Sequence, residues 1–317
     1  MIKDMAVRAL SAPPIVGMLR RRALKDDPLT ILCYHTLGPD QGGVNGWTVL
    51  REGDFRAHLG DLQAHYDIVS LETALAGAGG KRPQAVITFD DGDRGLHAHL
   101  LPVLRDVPVP VTVYVATEQF ETRQPFWFDR VVNALQGEGK VSVDGLGTWT
   151  LPGTGDKAHW DALRPVLQAL KKIDPAHRDA VADKVAEQGT RPPALALGPM
   201  TRDELAELAA CRDVTIGAHT HGHELLDQIP LDDARRSVAR SRALLQDWTG
   251  QRIDHFAFPN GNHTPALRDM VKQLGFRSAV ILEERTAPRG CDPFALPRIS
   301  AGRYDSAARM RLRLVGL

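Results

Sequence analysis

The sequence predicts an α/β fold, a mainly parallel sheet or barrel with helices outside. Short apolar runs recur along the chain, and between them lie helical patterns with their own start and stop signals. A third observation concerns function: carboxylates and histidines cluster where predicted strands end. Barrels of this kind place their chemistry at the C-terminal edge of the strands.

Taken in order, the first 28 residues form a basic segment. Within its first 25 residues Lys3, Arg8, Arg20, Arg21, Arg22 and Lys25 face a single acid, Asp4, and are interleaved with Met5, Val7, Leu10, Ile15, Val16, Met18 and Leu19. Such a stretch can rest weakly on an anionic membrane surface, or it can be a helix packed on its own domain. Pro13-Pro14 is expected to interrupt it. Buried strands are expected at 29–35, 67–71, 85–89, 111–116, 213–219, 255–259 and 278–282, with a weaker candidate at 294–300. Thr201 and Glu204 form a capping box that opens a helix. Over 232–248 the residues Ala234, Val238, Leu245 and Trp248 share one face, and Gly250 ends the helix. Thr264, Pro265 and Gly275 bracket another, with Leu267, Met270, Val271 and Leu274 inward. Between about 121 and 200 the alternation lapses. A helix at 126–135, a hairpin at 141–151, one long helix over 157–188 and a linker at 190–199 read as a mainly helical insertion. It either shapes a cleft or merely elaborates the scaffold. The remainder, 29–317, is read as one domain.

Bulk properties narrow the class. The chain has 317 residues, and 39 Lys plus Arg balance 39 Asp plus Glu, so its overall charge gives no reason to expect a nucleic-acid partner. Cys33, Cys211 and Cys291 are far apart and odd in number, which suits core thiols and a reducing compartment. No secretory signal and no apolar run of membrane-spanning length is recognised. The expected location is the cytoplasm, with any membrane contact peripheral and at the inner face.

The chemistry starts at Asp90 and Asp91, which follow the strand "AVITF". Two adjacent carboxylates repel, and ending an apolar strand with them is costly unless a cation compensates. The segment "GAHTHGH" supplies candidates for holding one. A lone histidine is usually structural, but His219, His221 and His223 crowd a turn directly after a predicted strand. Two histidines and one carboxylate with open positions make a catalytic metal arrangement, and neutral imidazoles suit zinc and similar ions. One aspartate would then bind the ion while the other takes a proton from water activated there.

"TFDDG" (88–92), "HTHGH" (219–223, the pattern H-[ST]-x-x-H) and "FAFPNG" (256–261) occur in that order. Together they resemble the polysaccharide deacetylase family with its NodB-type domain, over roughly 29–120 and 200–300. The resemblance implies an irregular (β/α) barrel of the NodB type, a divalent metal cofactor, and hydrolysis of acetyl groups from an acetylated carbohydrate. It implies Asp90 as general base, and Asp91, His219 and His223 as metal ligands. Thr220 would support the turn, with His221 at a variable position. A backbone N–H at Asn260 would meet the oxyanion. Ala257 stands where many members carry an arginine, and Arg298 is a candidate to orient Asp90 instead. The family's late histidine has no counterpart, since no histidine follows His263. His35, ending the first strand, is taken as the general acid, against a merely structural role.

Two other readings stand beside this one. The same fold can act as an amidase on a non-sugar substrate, because aromatic residues are only 6% of the chain. It can also be an inactive sugar-binding or assembly component. Trp47, Trp127 and Phe128 either line a subsite or belong to the core.

Overall fold

The computed structural model describes residues 7, 10–77, 80, 82–153, 157–189 and 196–317. Lys3, Asp4, Met5 and Arg8 of the basic segment, and 190–195 of the expected linker, lie outside these residues. Helix α1 (Pro13–Ala23) comes first. Pro13 and Pro14 occupy its first turn and so open the helix, where their missing N–H groups are not needed. The pair thus starts a helix at the point where an interruption is expected from the sequence. α1 buries Val16, and leaves Ile15 and Met18 exposed on its outer face.

The strands are β1 (Thr30–Tyr34), β2 (Thr36–Gly38), β3 (Val49–Arg51), β4 (Asp67–Ile68), β5 (Gln84–Phe89), β6 (Val111–Val115), β7 (Gly139–Val143), β8 (Gly147–Leu151), β9 (Val214–Ala218), β10 (His255–Ala257), β11 (Ser278–Leu282) and β12 (Leu296–Ser300). Seven of them close into a parallel barrel in the order β1-β12-β11-β10-β9-β6-β5, and β5 returns to pair with β1. β4 joins only at the start of β5, beside Gln84 and Ala85. All the expected strands are present, and the weaker candidate at 294–300 is the β12 that completes the barrel. β2 and β3 are additional three-residue strands, too short to leave a periodic trace.

Helices pack around this barrel: α2 (Glu52–His65), α3 (Leu71–Leu75), α4 (Leu101–Asp106), α9 (Arg202–Ala210), α10 (Leu231–Thr249), α11 (Pro265–Gln273) and α12 (Ala307–Arg313). The Thr201 and Glu204 box caps α9 in both directions, and Gly250 ends α10 with a left-handed φ of 67°. A short helix, α5 (Glu118–Thr122), follows β6.

Between α5 and α9 the chain forms α6 (Trp127–Ala134), the antiparallel hairpin β7–β8, α7 (Lys157–Leu170) and α8 (Pro175–Ala186). Val131, Leu163, Val166, Leu170, Ala182 and Val185 bury one another here, joined by Val44 and Val49 from the barrel side. The single helix expected over 157–188 is therefore two. Pro175 cannot donate to a preceding turn, and the Asp174 carboxylate accepts from the Ala176 amide to cap a new helix instead. No described helix is long and apolar enough to cross a membrane.

His58 and His255 are buried in this scaffold, and burial holds both imidazoles below the ordinary histidine pKa. His58 lies between the Tyr34 hydroxyl and the Asp305 carbonyl. The unfolded chain therefore binds protons first as pH falls. Their stabilising effect is complete above about pH 6.5 and is lost progressively below it. Urea denaturation at descending pH should show a falling midpoint, with a shallower fall in His58→Gln; a midpoint that does not move would contradict this.

Candidate active site

Strand register brings the candidate residues together. Tyr34 of β1 pairs with Phe89 of β5, and the Asp90 amide donates to the Tyr34 carbonyl at 2.9 Å. His35 and Asp90 therefore leave the barrel side by side. Val115 of β6 pairs with Ala218 of β9, and the His219 amide donates to Val115. Asp91 and His219 thus meet across β6, whose next residue, Ala116, donates to the Asp91 carbonyl.

His219 Nε2 lies 3.5 Å from Asp91 Oδ1, and His223 Nε2 lies 3.3 Å from the same oxygen. Asp91 Oδ1 is buried, yet it accepts no hydrogen bond. A buried carboxylate oxygen left without a donor is costly, and here two ring nitrogens face it. His219 Nδ1 contacts the Ala257 carbonyl at 2.7 Å, so Nδ1 carries the proton and Nε2 presents its lone pair. Burial opposes charge on both partners. Even so, the imidazoles hold the Asp91 carboxyl well below the usual carboxylate range, and Asp90 and Asp91 keep His219 above the ordinary histidine value. The local field favours a cation, and two nitrogens with one oxygen are donors suited to a borderline divalent metal. The residues fit such an ion.

Asp90 has a different partner. Arg298, fully buried on β12, donates from Nη1 to Oδ1 and from Nη2 to Oδ2, both at 2.7 Å. Nη1 also reaches Thr88 Oγ1 at 3.0 Å, and the guanidinium carbon lies 5.6 Å from the centre of the Tyr114 ring. Burial would raise the Asp90 carboxyl, but Arg298 outweighs it and holds the group below its usual value. The Cys33 thiol donates to Asp90 Oδ2 at 3.4 Å. A ring nitrogen of His35 is within 4.8 Å of both Cys33 and Asp90. His35 Nδ1 is buried without a partner, Trp47 packs edge-on against the ring, and burial lowers its pKa.

Backbone strain is also concentrated here. Asp91, Thr220, His223 and Asn260 all adopt left-handed backbone angles, with φ between 55° and 74°. Non-glycine residues in that region cost about 1–3 kcal/mol each when the conformation is strained, and they gather at functional sites.

A family model for polysaccharide deacetylase matches residues 77–279. The chain belongs to that family. Among curated proteins nothing matches. In solved structures the fold is similar to a Streptococcus pyogenes deacetylase, PplD, in complex with acetate (14% identity, TM-score 0.59, covering 90% of this chain and 98% of that one). It is similar to IcaB from Ammonifex degensii (17%, 0.58, 92% and 98%) and to a de-N-acetylase from Aggregatibacter actinomycetemcomitans (15%, 0.59, 90% and 99%). The barrel is the NodB-type (β/α)7 barrel, and members of this family are hydrolases that deacetylate carbohydrates and are generally metal-dependent.

His35 and Arg298 both lie outside the span matched by the family model, His35 directly after β1 and Arg298 on its neighbour β12 in the polysaccharide deacetylase barrel. Arg298 makes the bidentate contact for which Ala257 has no side chain, while the Ala257 carbonyl orients His219. His221 turns away from the cluster towards Thr117 Oγ1, at 2.8 Å, and Glu121. The Asn260 amide donates to no described protein group, and its side-chain oxygen accepts from Lys171 Nζ at 2.8 Å. Phe126 and Phe128 each lie 5.1 Å from the His223 ring, so the insertion's first helix supports a ligand candidate. Trp127 packs with the insertion core.

One residue was overlooked in the sequence although it sits in the same motif. Asp93 is buried and accepts from Thr36 Oγ1, the Gly95 amide and the Gly198 amide, at 2.7, 2.8 and 2.7 Å. It ties the end of the insertion to the loops after β1 and β5. Its only signal was a third acid in "DDGD".

The Arg298 clamp yields a direct expectation. Arg298→Met leaves Asp90 as an unpaired buried charge and should destabilise the fold by about 3–5 kcal/mol in chemical denaturation. Adding Asp90→Asn should recover much of that loss. Equal stability of wild type and Arg298→Met would show that the pair is not the constraint described here.

Proposed function

We propose that the protein removes N-acetyl groups from an N-acetylhexosamine-containing oligo- or polysaccharide, with a zinc ion as its cofactor. The observation that carries this reading is the pairing of two unlike carboxylates. Asp91 presents a bare buried oxygen to two imidazoles, while Asp90 is locked in place by Arg298. Asp91, His219 and His223 would hold the ion. When bound there, it supplies Lewis-acid polarisation of water and of the acyl carbonyl.

The remaining work falls to the chain. Asp90, fixed by two short hydrogen bonds, takes the proton from the attacking water. The free Asn260 amide donates to the oxygen that gains charge as the carbonyl becomes tetrahedral, a contribution of about 3–4 kcal/mol for a preorganised donor. His35 is neutral at rest because burial lowers its pKa. Its closeness to Asp90 lets it receive that proton and deliver it to the departing nitrogen. The C–N bond then breaks, with acetate and a free amine as products. A binding-only component would have no need of the acid itself, since an apolar residue at 90 and another at 298 would fill the same space without a buried charge.

Acetate release from N-acetylglucosamine oligomers tests the reading. Chelation should abolish release and zinc should restore it. Asp90→Asn should lower kcat by about 10²- to 10⁴-fold, the range for loss of a general base. Full activity in chelator, or in Asp90→Asn, would overturn this function.

A further inference from the structure

The insertion brings two cations to the rim of this site and gives neither an anion. Lys171 directly follows α7, and its ammonium reaches across to Asn260 Oδ1. Arg178 on α8 is buried, 5.8 Å from the centre of the Trp127 ring. Its Nη2 donates to the Lys171 carbonyl at 3.1 Å, the Ile173 carbonyl at 2.9 Å and Gln228 Oε1 at 3.2 Å, while its buried Nε has no partner. Among the described residues neither cation forms an ion pair within 4.0 Å. The two carboxylates that act on Arg178 through space form no ion pair with it: Asp179 holds Arg130 at 2.8 Å, and Asp174 caps α8.

Burial and the repulsion of Arg178 lower the Lys171 pKa, and the carboxylate acting on it in the other direction is Asp91. The ammonium is therefore within electrostatic reach of the metal-ligand cluster. It is also hydrogen-bonded to the residue whose amide faces the reacting carbonyl. One of its three N–H donors is used by Asn260. A partly desolvated ammonium beside a second cation is destabilised, and a ligand anion relieves both defects at once.

We propose that Lys171 reads an anionic oxygen group, carboxylate or phosphate, carried by the acetylated sugar chain. Arg178 is a positioning residue behind it, capping the 171–173 turn from which Lys171 projects. The inference rests on the deacetylase reading above and adds the charge class of its substrate.

The test compares three acetylated oligosaccharides: a neutral N-acetylglucosamine oligomer, an oligomer alternating with a uronic acid, and one bearing a phosphate ester. Wild type should favour one or both anionic oligomers in kcat/KM, and whichever it favours identifies the anion. Lys171→Gln keeps a donor for Asn260 but removes the charge. It should lose about tenfold on the preferred anionic oligomer, as expected for one charge-assisted hydrogen bond, and under about twofold on the neutral one. Lys171→Arg should retain the preference. Equal losses on charged and neutral oligomers would assign Lys171 to holding the Asn260 loop and overturn the proposal, as would a wild type indifferent to charge. Calorimetric binding of the same oligomers keeps the two readings separate. No acetate from any oligomer overturns the deacetylase reading, whereas equal affinity for charged and neutral chains overturns the role of Lys171.

Discussion

Two carboxylates in consecutive positions at the end of a buried strand are tolerable only if each is matched by positive charge. The backbone turns at Asp91, with φ of 74°, so the two side chains leave the strand in different directions. Asp90 turns towards Arg298, inside the barrel, and Asp91 turns towards His219 and His223. Each carboxylate therefore has its own electrostatic environment. One is satisfied permanently by a guanidinium and keeps a fixed orientation. The other faces two imidazoles and keeps a buried oxygen without a donor, so it stays available for the ion proposed above. Division of labour between neighbouring acids follows from that difference in partners.

Much of the scaffold was legible because a parallel barrel buries its strands, and buried strands read as continuous apolar runs. The TFDDG and H-T-x-x-H motifs marked strand ends for the same reason: the polarity changes abruptly where the core stops. What escaped notice was local or non-local in specific ways. The break between α7 and α8 was written in Asp174-Pro175, but an unbroken apolar stripe through 160–170 invited a longer helix. Pro13-Pro14 were judged as breakers, although at a first turn proline is an opener. The support that Phe126 and Phe128 give to His223 spans about a hundred residues, and no periodicity reports such a contact. Arg298 was a candidate only because Ala257 stands where many family members carry an arginine. Its partner could be named because Asp90 needed one.

Backbone strain and burial reinforce one another around the cluster. Asp91, Thr220, His223 and Asn260 hold conformations that side-chain-bearing residues avoid, and they do so on loops anchored by the barrel's hydrogen bonds and by Asp93. A stiff barrel rim tolerates such angles, whereas a mobile loop would relax out of them. The geometry of the cluster is thus a property of the barrel, reached through register, and owes little to any one side chain's flexibility.

The segment between α5 and α9 has a different character. It packs largely around its own apolar residues, touches the barrel side at Val44, Val49, Asp93, Gln228 and the His223 ring among other points, and reaches Asn260 with Lys171. The proposed chemistry and the proposed reading of substrate charge would then lie in separate stretches of the chain. On that reading, the side chain at 171 could be exchanged to suit another sugar decoration while the barrel's own carboxylates and imidazoles stay as they are.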